Sequence, residues 1–415
     1  MKAWPTTYLP PIQVDKIPTL NLFNSLTRTK EPVKESQVSM YVCGITPYDA
    51  THLGHAATYL TFDIINRYLK FAGQSVHYVE NITDVDDPLL ERAQRDGVDW
   101  RVLAEEQISL FRDDMTSLRV LPPDQYMGAV ETIPWVIEAI EQMKVLAKNS
   151  VYEIDGDLYF DVTADPHFDS YNKLTLEEKV KIFAERGGDP ARPGKRHPLD
   201  CLIWRAQQDS ENEPAWPSPF GLGRPGWHIE CTAIALKYLE APISIQGGGS
   251  DLHFPHHTMC AAEGRVLTGK DFARKFVHAG MIGLDGEKMS KSKGNLKFVS
   301  KMRNDGIDPL LIRVALLSGH YREDRPWSDA LLTQTKERVE LWRKAISSPY
   351  GGNVDALIEK VSTHLSDDLD TPGAFMAIDR WANERINTLA TELDQSVSNV
   401  GRLSRYLDAV LGVTF

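Results

Sequence analysis

The stretch from residue 38 to residue 84 alternates between short apolar runs and a helical pattern, and this alternation most constrains the fold. Val38 to Val42 is an apolar run that breaks at Gly44, as a buried strand does at its end. Apolar residues then recur at helical spacing from His52 to Gly73, and a second apolar run, Val76 to Val79, follows at once. Strand, helix and strand in this order predict a βαβ unit in a parallel sheet. We therefore expect an α/β fold whose ligands bind beyond the carboxyl ends of the strands.

The remainder of the chain divides by composition into further segments. Residues 1–150 are predicted to hold an extended, Pro- and Thr-rich lead-in up to about residue 38 and the first half of a Rossmann-type domain, with helices from 90 to 148 broken only at Pro122-Pro123. Residues 151–225 are rich in Pro and Gly and predict an insertion. Residues 226–300 resume the α/β pattern with a strand that ends in Gly247-Gly248-Gly249, and residues 301–415 predict a C-terminal helical domain.

Charge and cysteine content exclude several classes of protein. The 415 residues contain 46 Lys+Arg and 58 Asp+Glu, a formal net charge of −12, which disfavours a large polyanionic partner. The four cysteines are too few and too scattered for a disulfide framework and suit a reducing compartment. No apolar run approaches the length of a membrane span, and the N-terminus lacks the apolar core of a signal peptide. We expect a cytoplasmic protein without membrane contact.

Two segments far apart in the sequence suit nucleotide phosphates. His52-Leu53-Gly54-His55 stands at the start of the predicted helix, where free backbone N–H groups attract phosphate. Lys288-Met289-Ser290-Lys291-Ser292 follows Gly286 and offers two cations on a glycine-bounded loop, which suits charge stabilisation during phosphoryl transfer. Each segment alone has an ordinary explanation, a capped helix for the first and a solvated surface for the second. Together they suit a nucleotide; the family resemblance described below implies that His52, His55, Lys288 and Lys291 are catalytic residues that stabilise the phosphates of ATP.

Cysteine and histidine residues form a second candidate site. Cys43, Cys231, His256 and Cys260 supply thiolate and imidazole, the ligands that zinc prefers, and a catalytic zinc keeps one position open. His256 and Cys260 stand four residues apart, so both would face the same way on a helix. The alternative is that these are buried, inert cysteines. Cys201 fits no loop of this kind and is interpreted as structural.

These motifs, in this order, resemble the two signatures of class I aminoacyl-tRNA synthetases, and the arrangement as a whole is similar to cysteinyl-tRNA synthetase. The stretches that carry the resemblance are Cys43-Gly44, His52 to His55, Asn81 to Asp84, Gly223 to Cys231, Gly247 to Leu252, Phe254 to His257 and Lys288 to Ser292. Residues 43–57 and 185–190 look like the mycothiol-pathway relatives, which are ATP-dependent ligases joining cysteine to glucosaminyl-inositol. The resemblance covers essentially the whole chain. It implies a class I synthetase-type Rossmann sheet with an insertion subdomain and a C-terminal helical bundle.

The resemblance also implies a reaction and its residues. ATP, expected with Mg²⁺, and cysteine would give cysteinyl adenylate, which the sugar amine would attack to form an amide and AMP. One zinc per chain on Cys43, Cys231 and His256 would hold the substrate thiolate. The residues implied to bind cysteine or its adenylate are Cys43, Gly44, Ile45, Thr46, Thr58, Asn81, Ile82, Thr83, Trp227, Gly249, Ser250, Asp251 and Ile282. The expected partners are small molecules, with no tRNA and no membrane, and the expected state is a monomer.

Some alternatives stay open on the sequence. The family's fourth zinc ligand is a glutamate where this chain has Cys260, so Cys260 either ligates or leaves the position open. The segment from Glu185 to Pro190 is a candidate for the sugar pocket or a plain surface turn. A tRNA-charging enzyme is the alternative function, although residues 353–415 show no basic stripe for tRNA. A thiol-binding module with a decayed nucleotide site is a third, disfavoured by the intact histidine and lysine motifs.

Overall fold

The structure is a computed structural model that describes residues 1–14, 16–208, 213–284, 287–288, 296–347, 353–391 and 399–415. Gly286 and Lys291 of the predicted lysine loop lie outside these residues.

Fourteen strands and thirteen α-helices are found in the described ranges. The strands are β1 Asn21–Asn24, β2 Thr29–Pro32, β3 Gln37–Val42, β4 Ser75–Ile82, β5 Gln125–Gly128, β6 Val151–Ile154, β7 Asp157–Phe160, β8 Cys201–Ala206, β9 Gly223–Pro225, β10 Ile243–Gly249, β11 Ala273–Ala279, β12 Ile282–Leu284, β13 Glu287–Lys288 and β14 Arg325–Trp327. The helices are α1 Leu53–Phe71, α2 Asp87–Asp96, α3 Trp100–Ser117, α4 Ala129–Leu146, α5 Leu176–Glu185, α6 Trp227–Tyr238, α7 Thr258–Thr268, α8 Val299–Asn304, α9 Pro309–Leu317, α10 Asp329–Ile346, α11 Val354–Ser366, α12 Thr371–Thr391 and α13 Val400–Leu411.

A five-stranded parallel sheet forms the centre of the molecule, in the order β11-β10-β3-β4-β5. The predicted βαβ unit is β3, α1 and β4, with Val38 paired to Val76 in parallel register. The chain returns to pair β10 with β3 on the other side, where Ile245 pairs with Met40. The strand order therefore reverses between β3 and β10, the position at which α/β sheets bind ligands. The predicted Rossmann-type parallel sheet is confirmed.

Helix α1 packs its apolar face on the central sheet. The four predicted periodic residues are all buried: Leu60, Ile64, Ile65 and Leu69. The helix ends next to Gly73, whose φ of 82° is the left-handed conformation that glycine adopts without strain. A Cβ on Gly247 of β10 would lie 2.2 Å from the ring of Phe62, so this glycine lets the helix approach the strand closely.

The structure corrects two predictions about the sheet. The region from 90 to 148 is not wholly helical, because β5 follows Pro122-Pro123 and forms an edge of the sheet. Four residues are too few to show a strand periodicity, so this strand was missed. The glycines from Gly247 to Gly249 do not terminate β10 but belong to it. Glycine usually weakens a strand, but the close approach of α1 requires a glycine at Gly247.

The lead-in is more ordered than predicted. Strands β1 and β2 form an antiparallel hairpin whose turn places Arg28 at a φ of 60°. Trp4 is buried, and its indole N–H donates to the carbonyl of Val120 over 2.8 Å. The prediction of a purely extended lead-in is therefore wrong for residues 21–32.

A second sheet lies in the stretch that was predicted to be an insertion. Strands β6, β7, β8 and β9 are antiparallel, and Phe160 and Trp204 are buried in their core. Helix α6 follows directly and leads the chain back into β10 of the central sheet. The boundaries at residues 150, 225 and 300 stay predictions.

The C-terminal helices are joined to α1 by a buried ion cluster. Arg67 donates to Asp63 over 2.8 Å, and Arg313 of α9 contacts the same carboxylate. Arg313 also donates to the carbonyl of Leu411 in α13 over 2.6 Å and to that of Leu118 over 2.7 Å. The cluster therefore ties α1, α9 and α13 together. Among the described residues, no helix combines the length and the apolar character needed to cross a membrane.

Candidate active site

The loops after β3 and β4 touch each other at the carboxyl edge of the sheet. Gly44 donates its N–H to the side-chain oxygen of Asn81 over 2.9 Å, and Tyr41 donates its hydroxyl to the same oxygen over 3.0 Å. A Cβ on Gly44 would lie 1.5 Å from the carbonyl oxygen of Asn81, so only glycine fits this contact. Ile45 accepts from the N–H of Thr83 over 3.0 Å. The two loops therefore hold each other in place, and together they are called the floor of the site.

Several residues predicted to bind the adenylate contribute to this floor through the backbone. Ile45 and Ile82 are buried in the core, and Ile282 is buried at the start of β12. The Asn81 side chain is occupied by its contacts to Gly44 and Tyr41. The side chains of these four residues are therefore packed or hydrogen-bonded within the protein, and their contact with an adenylate stays a prediction.

Three predicted metal ligands meet at this edge. Cys43 follows β3, Cys231 lies on α6 and His256 lies in the turn before α7. One ligand atom from each lies within 4.8 Å of the others, and all three residues are buried. The two Sγ atoms are 4.0 Å apart. The sequence prediction that these three residues come together agrees with this geometry.

The two thiols of this cluster differ electrostatically. Hydrogen bonding from the Cys43 thiol, together with the nearby His256, holds the pKa of Cys231 well below its ordinary value. Burial and the neighbouring Cys231 raise the pKa of Cys43 well above its ordinary value. Cys231 therefore carries the first negative charge in the metal-free site, and a cation would relieve the repulsion that opposes the second.

The cluster has the geometry that a zinc site requires. Two sulphurs at about 2.3 Å from a tetrahedral zinc lie about 3.8 Å apart, close to the separation found here. His256 Nδ1 lies 2.9 Å from His228 Nδ1, while its Nε2 lies on the side of the thiols. Ligating histidines commonly make such a contact through their second nitrogen. Three ligands from protein leave a fourth position for another group, which is typical of catalytic rather than structural zinc.

Cys260 lies beside the cluster but is not one of the three mutually close ligands. Its Sγ donates to the carbonyl oxygen of His228 over 3.4 Å and lies 3.8 Å from His256 Nε2. Cys201 lies farther along the same core, where its thiol donates to Glu263 over 3.6 Å. The geometry therefore favours the alternative in which Cys260 is not a ligand and the fourth position on the zinc stays open.

Helix α1 contacts the thiol cluster through Tyr59, whose hydroxyl donates to the carbonyl of Cys43 over 3.4 Å. His52 caps the helix, since its Nδ1 accepts from the backbone N–H groups of Gly54 and His55 over 3.1 and 3.3 Å. The rings of His52 and His55 stack with centroids 3.6 Å apart. Desolvation lowers the pKa of His52 to about 4 and that of His55 well below its ordinary value. Both rings are therefore neutral near pH 7, and His52 reaches a ligand only through Nε2.

The residues predicted around the nucleoside lie between α1 and the end of β10. Thr58 donates to the carbonyl of Gly54 over 3.2 Å and lies 3.9 Å from where a Cβ of Gly249 would be. Ser250 and Asp251 start a short helical turn directly after β10 and are exposed. Asp251 lies close enough to His52 to act on its pKa. The predicted nucleoside residues are thus adjacent in space.

The lysine loop is described only in part. Lys288 lies on β13, paired with Gly283 of β12, and β12 also pairs with β14. The loop therefore starts from a small sheet that follows the central sheet directly. Lys291 lies outside the described residues.

A cleft of about 890 Å³ opens beside the thiol cluster. Thr46, Trp227 and Asp251 are among the residues that line it, together with residues of the insertion sheet and of the start of α2. The Trp227 ring stacks on that of His256 with centroids 4.4 Å apart, so it forms a wall shared by the cleft and the cluster. The segment from Glu185 to Asp189 also lines the cleft, so it borders the same cavity as Trp227.

Three polar residues that contact the cluster were missed by the sequence prediction. His257 Nε2 lies 3.3 Å from Cys43 Sγ, and Gln246 donates to the same sulphur over 3.4 Å. His228 contacts His256 as described above. His228 stands three residues before Cys231 on a helix, so helical spacing could have suggested it. His257 is adjacent to His256 in the sequence, which could have suggested His257. Nothing in the sequence points to Gln246.

Comparison with known families agrees with this fold. The model of the family described as tRNA synthetases class I (C) catalytic domain matches residues 29–337. Methionyl-tRNA synthetase of Mycobacterium tuberculosis, solved in complex with methionyl-adenylate, superposes with a TM-score of 0.64 at 16% identity over 91% of this chain and 88% of that one. At this identity the likeness concerns the fold.

Curated relatives are similar over their whole length. An L-cysteine:1D-myo-inositol 2-amino-2-deoxy-alpha-D-glucopyranoside ligase of Thermomonospora curvata is 50% identical over 419 residues, covering 100% of both chains. The protein of the same name from Gordonia bronchialis is 52% identical over 422 residues, covering 100% of this chain and 99% of its own.

Proposed function

Because this chain belongs to the L-cysteine:1D-myo-inositol 2-amino-2-deoxy-alpha-D-glucopyranoside ligase family, with the class I (C) tRNA synthetase catalytic domain, we propose that it joins L-cysteine to the amino group of glucosaminyl-inositol at the expense of ATP. The observation that carries the proposal is the position of the Cys43, Cys231 and His256 cluster. It lies at the reversal point of a parallel sheet and shares the Trp227 wall with a cleft wide enough for a second substrate.

The first step is adenylation of cysteine. A carboxylate oxygen of cysteine bonds to the α-phosphorus of ATP, and the bond from that phosphorus to the bridging oxygen breaks, releasing pyrophosphate. The N–H groups of Gly54 and His55 are occupied by His52 Nδ1. The two neutral rings of His52 and His55 would therefore bind the phosphates, through hydrogen bonds rather than charge. Lys288 and Lys291 would neutralise the charge that develops on the phosphates, with Mg²⁺ expected on the leaving pyrophosphate.

Substrate selection uses the thiol of cysteine. A zinc ion held by Cys43, Cys231 and His256 would supply a soft ligand site that accepts a thiolate and discriminates against the hydroxyl of serine. The chain's own residues shape this site: Trp227 covers one side of it, and His228 and His257 hold His256 and Cys43 in place.

The second step transfers the cysteinyl group. The sugar amine bonds to the carbonyl carbon, and the bond from that carbon to the phosphate oxygen breaks, releasing AMP. Gly249, Ser250 and Asp251 would hold the nucleoside in both steps, with the Asp251 carboxylate accepting hydrogen bonds from ribose hydroxyls. Since adenylation already provides a good leaving group, no covalent enzyme intermediate is required.

Cysteine-dependent exchange of pyrophosphate into ATP tests the first step. We expect exchange with cysteine and none with serine, followed by amide formation when glucosaminyl-inositol is added. Transfer to tRNA and none to the amino sugar would replace the ligase by the tRNA-charging alternative. Cysteine binding without any exchange would support the thiol-binding module instead. Monomeric state and cytoplasmic location stay predictions.

A further inference from the structure

The cleft beside Trp227 carries more acidic groups than basic ones. Eight carboxylates and five arginine or lysine side chains are among the residues that line it. An excess of negative charge favours a cationic ligand over a phosphate-bearing one. The acceptor in the proposed reaction is a primary amine, which is an ammonium ion near neutral pH, so the cleft's charge suits its capture.

Most of these carboxylates are already engaged. Asp87 pairs with Arg205 over 2.8 Å and with Arg224, and Asp157 pairs with an arginine over 3.0 Å. Asp200 accepts from one tyrosine hydroxyl and two backbone N–H groups. Of the others, Glu91, Glu185, Asp189 and Asp251 are exposed to solvent.

Asp86 differs from the other carboxylates of the cleft in its burial and its partners. It follows β4 in the loop that touches the loop after β3, and it is half-buried beside Thr46, with which it hydrogen bonds. Its Oδ1 accepts from the N–H of Asp87 over 2.8 Å, which caps α2. Among the described side chains no ion pair reaches it, because Arg224 makes its ion pairs with Asp87 and Glu213. Asp86 and its hydrogen-bonded neighbour Thr46 both line the cleft, and the part of the cleft that these two residues line is called its inner end.

The groups around Asp86 favour proton uptake. Burial raises the pKa of Asp86 to about 6, and the charge of Asp87 acts in the same direction, while the N–H of Asp87, the charge of Arg224 and the Thr46 hydroxyl oppose it. Glu230 of α6 lies close enough to Asp86 to feel its charge, as it does that of Asp84. A carboxylate in such surroundings is ionised near pH 7 yet accepts a proton more readily than an exposed one.

We propose that the inner end of this cleft binds the acceptor as a hydroxyl-rich primary ammonium ion and that Asp86 is the catalytic residue that takes its proton. This inference rests on the proposed ligase function, which it deepens by naming the acceptor's site. Thr46, which the family resemblance implies contacts the adenylate, hydrogen bonds to Asp86, so an amine held by Asp86 would lie beside the activated carbonyl.

The step balances as follows. The ammonium gives one proton to the Asp86 carboxylate and becomes a free amine. Its lone pair forms the bond to the carbonyl carbon, and the carbon–oxygen bond to AMP breaks with its electron pair leaving on the phosphate. A second proton leaves the nitrogen for water, and the product is a neutral amide.

The variant Asp86→Asn tests this role with little change of shape. Asparagine caps helices as well as aspartate does, so α2 keeps its N-cap, but the amide cannot take a proton. Glu91→Gln is the matched control, because it removes an exposed cleft carboxylate from the same helix. Both variants are compared with the unaltered enzyme in cysteine-dependent pyrophosphate exchange, in single-turnover transfer from preformed cysteinyl adenylate to glucosaminyl-inositol, and in thermal unfolding.

We expect Asp86→Asn to keep exchange within about threefold while transfer slows by about 100-fold or more, the usual contribution of a general base. Glu91→Gln should leave both steps intact. Unchanged transfer in Asp86→Asn would overturn the inference, and so would equal losses in exchange and transfer, or an equal loss in Glu91→Gln. Absence of amide formation by the unaltered enzyme would refute the proposed function itself, a result separate from any difference between variants.

Discussion

Replacing His228 should weaken zinc binding although His228 is not a ligand. Its Nδ1 lies 2.9 Å from Nδ1 of His256, so one of these nitrogens donates a hydrogen bond to the other. When His256 binds a metal through Nε2, its Nδ1 carries the proton and His228 accepts it. His228→Phe keeps a ring of similar size and offers no acceptor, which leaves the His256 N–H buried and without its partner.

The size of the effect follows from the burial of this hydrogen bond. His228 and His256 are 6% and 1% exposed, so water cannot replace the lost partner. Leaving a buried donor unsatisfied costs about 1–3 kcal/mol. At about 1.4 kcal/mol for each factor of ten, this raises the zinc dissociation constant about 5- to 100-fold. The range agrees with the usual effect of removing a contact to a ligating histidine.

Competition with a chromophoric zinc chelator at pH 7 measures the dissociation constant directly. His228→Asn is the matched control, because its side-chain oxygen can occupy the place of Nδ1 and accept the same hydrogen bond. We expect His228→Asn to bind zinc more tightly than His228→Phe. The reasoning is wrong if His228→Phe binds zinc as tightly as the unaltered protein, or if the two variants are equally weakened.

Three further predictions concern the site and its support. Cys231→Ser should lose the bound zinc, whereas Cys260→Ser should retain one zinc per chain, as measured by metal analysis after dialysis; equal loss would make Cys260 a ligand. Arg313→Met should lower the free energy of unfolding in urea by about 3 kcal/mol, because it breaks a buried pair with Asp63; a change below about 1 kcal/mol would contradict this. Because the folded pKa of His52 is about 4 and its unfolded pKa is about 6.5, its neutral ring contributes stability that is full above pH 6.5 and is lost as the pH falls towards 4. His52→Asn, which can still cap α1, should therefore make the free energy of unfolding less steep between pH 4 and 6.5, and an unchanged slope would refute this.

The central βαβ unit could be predicted because its signals are local. Helix α1 shows its periodicity over 19 residues, and β3 is a continuous apolar run of the kind that buried parallel strands require. The hairpin of β1 and β2 carries no such signal, since Arg28 takes the left-handed turn position that glycine or asparagine usually marks. The order of strands in the sheet depends on contacts between residues more than 150 positions apart, such as Ile245 with Met40, and no local pattern specifies it.

The ligands of the candidate zinc site could be predicted by chemistry but not by spacing. Thiols are rare in this chain, so Cys43 and Cys231 stood out, yet 187 residues of intervening sequence hide their proximity. Whether Cys260 joins them depends on where its Sγ points, which the fold decides by directing it at a backbone carbonyl. Histidine has many roles in proteins, so the contacts of His228 and His257 needed the structure.

The arrangement of the site suits the proposed order of its two steps. Trp227 stacks on His256 and also lines the cleft, so we propose that a cysteine whose thiol is at the cluster extends its carboxyl group along this ring. Thr46 hydrogen bonds to Asp86, where the amine is proposed to bind, whereas the phosphates are proposed to bind at the start of α1. In this proposal the loop after β3 holds the phosphates and the loop after β4 holds the amine, so adenylation and transfer approach one carbonyl group from different sides. Because the N–H of Gly44 donates to Asn81 and a Cβ on Gly44 would collide with the Asn81 carbonyl, the two loops are held at a fixed distance, and we expect the distance between the two proposed binding positions to be fixed with them.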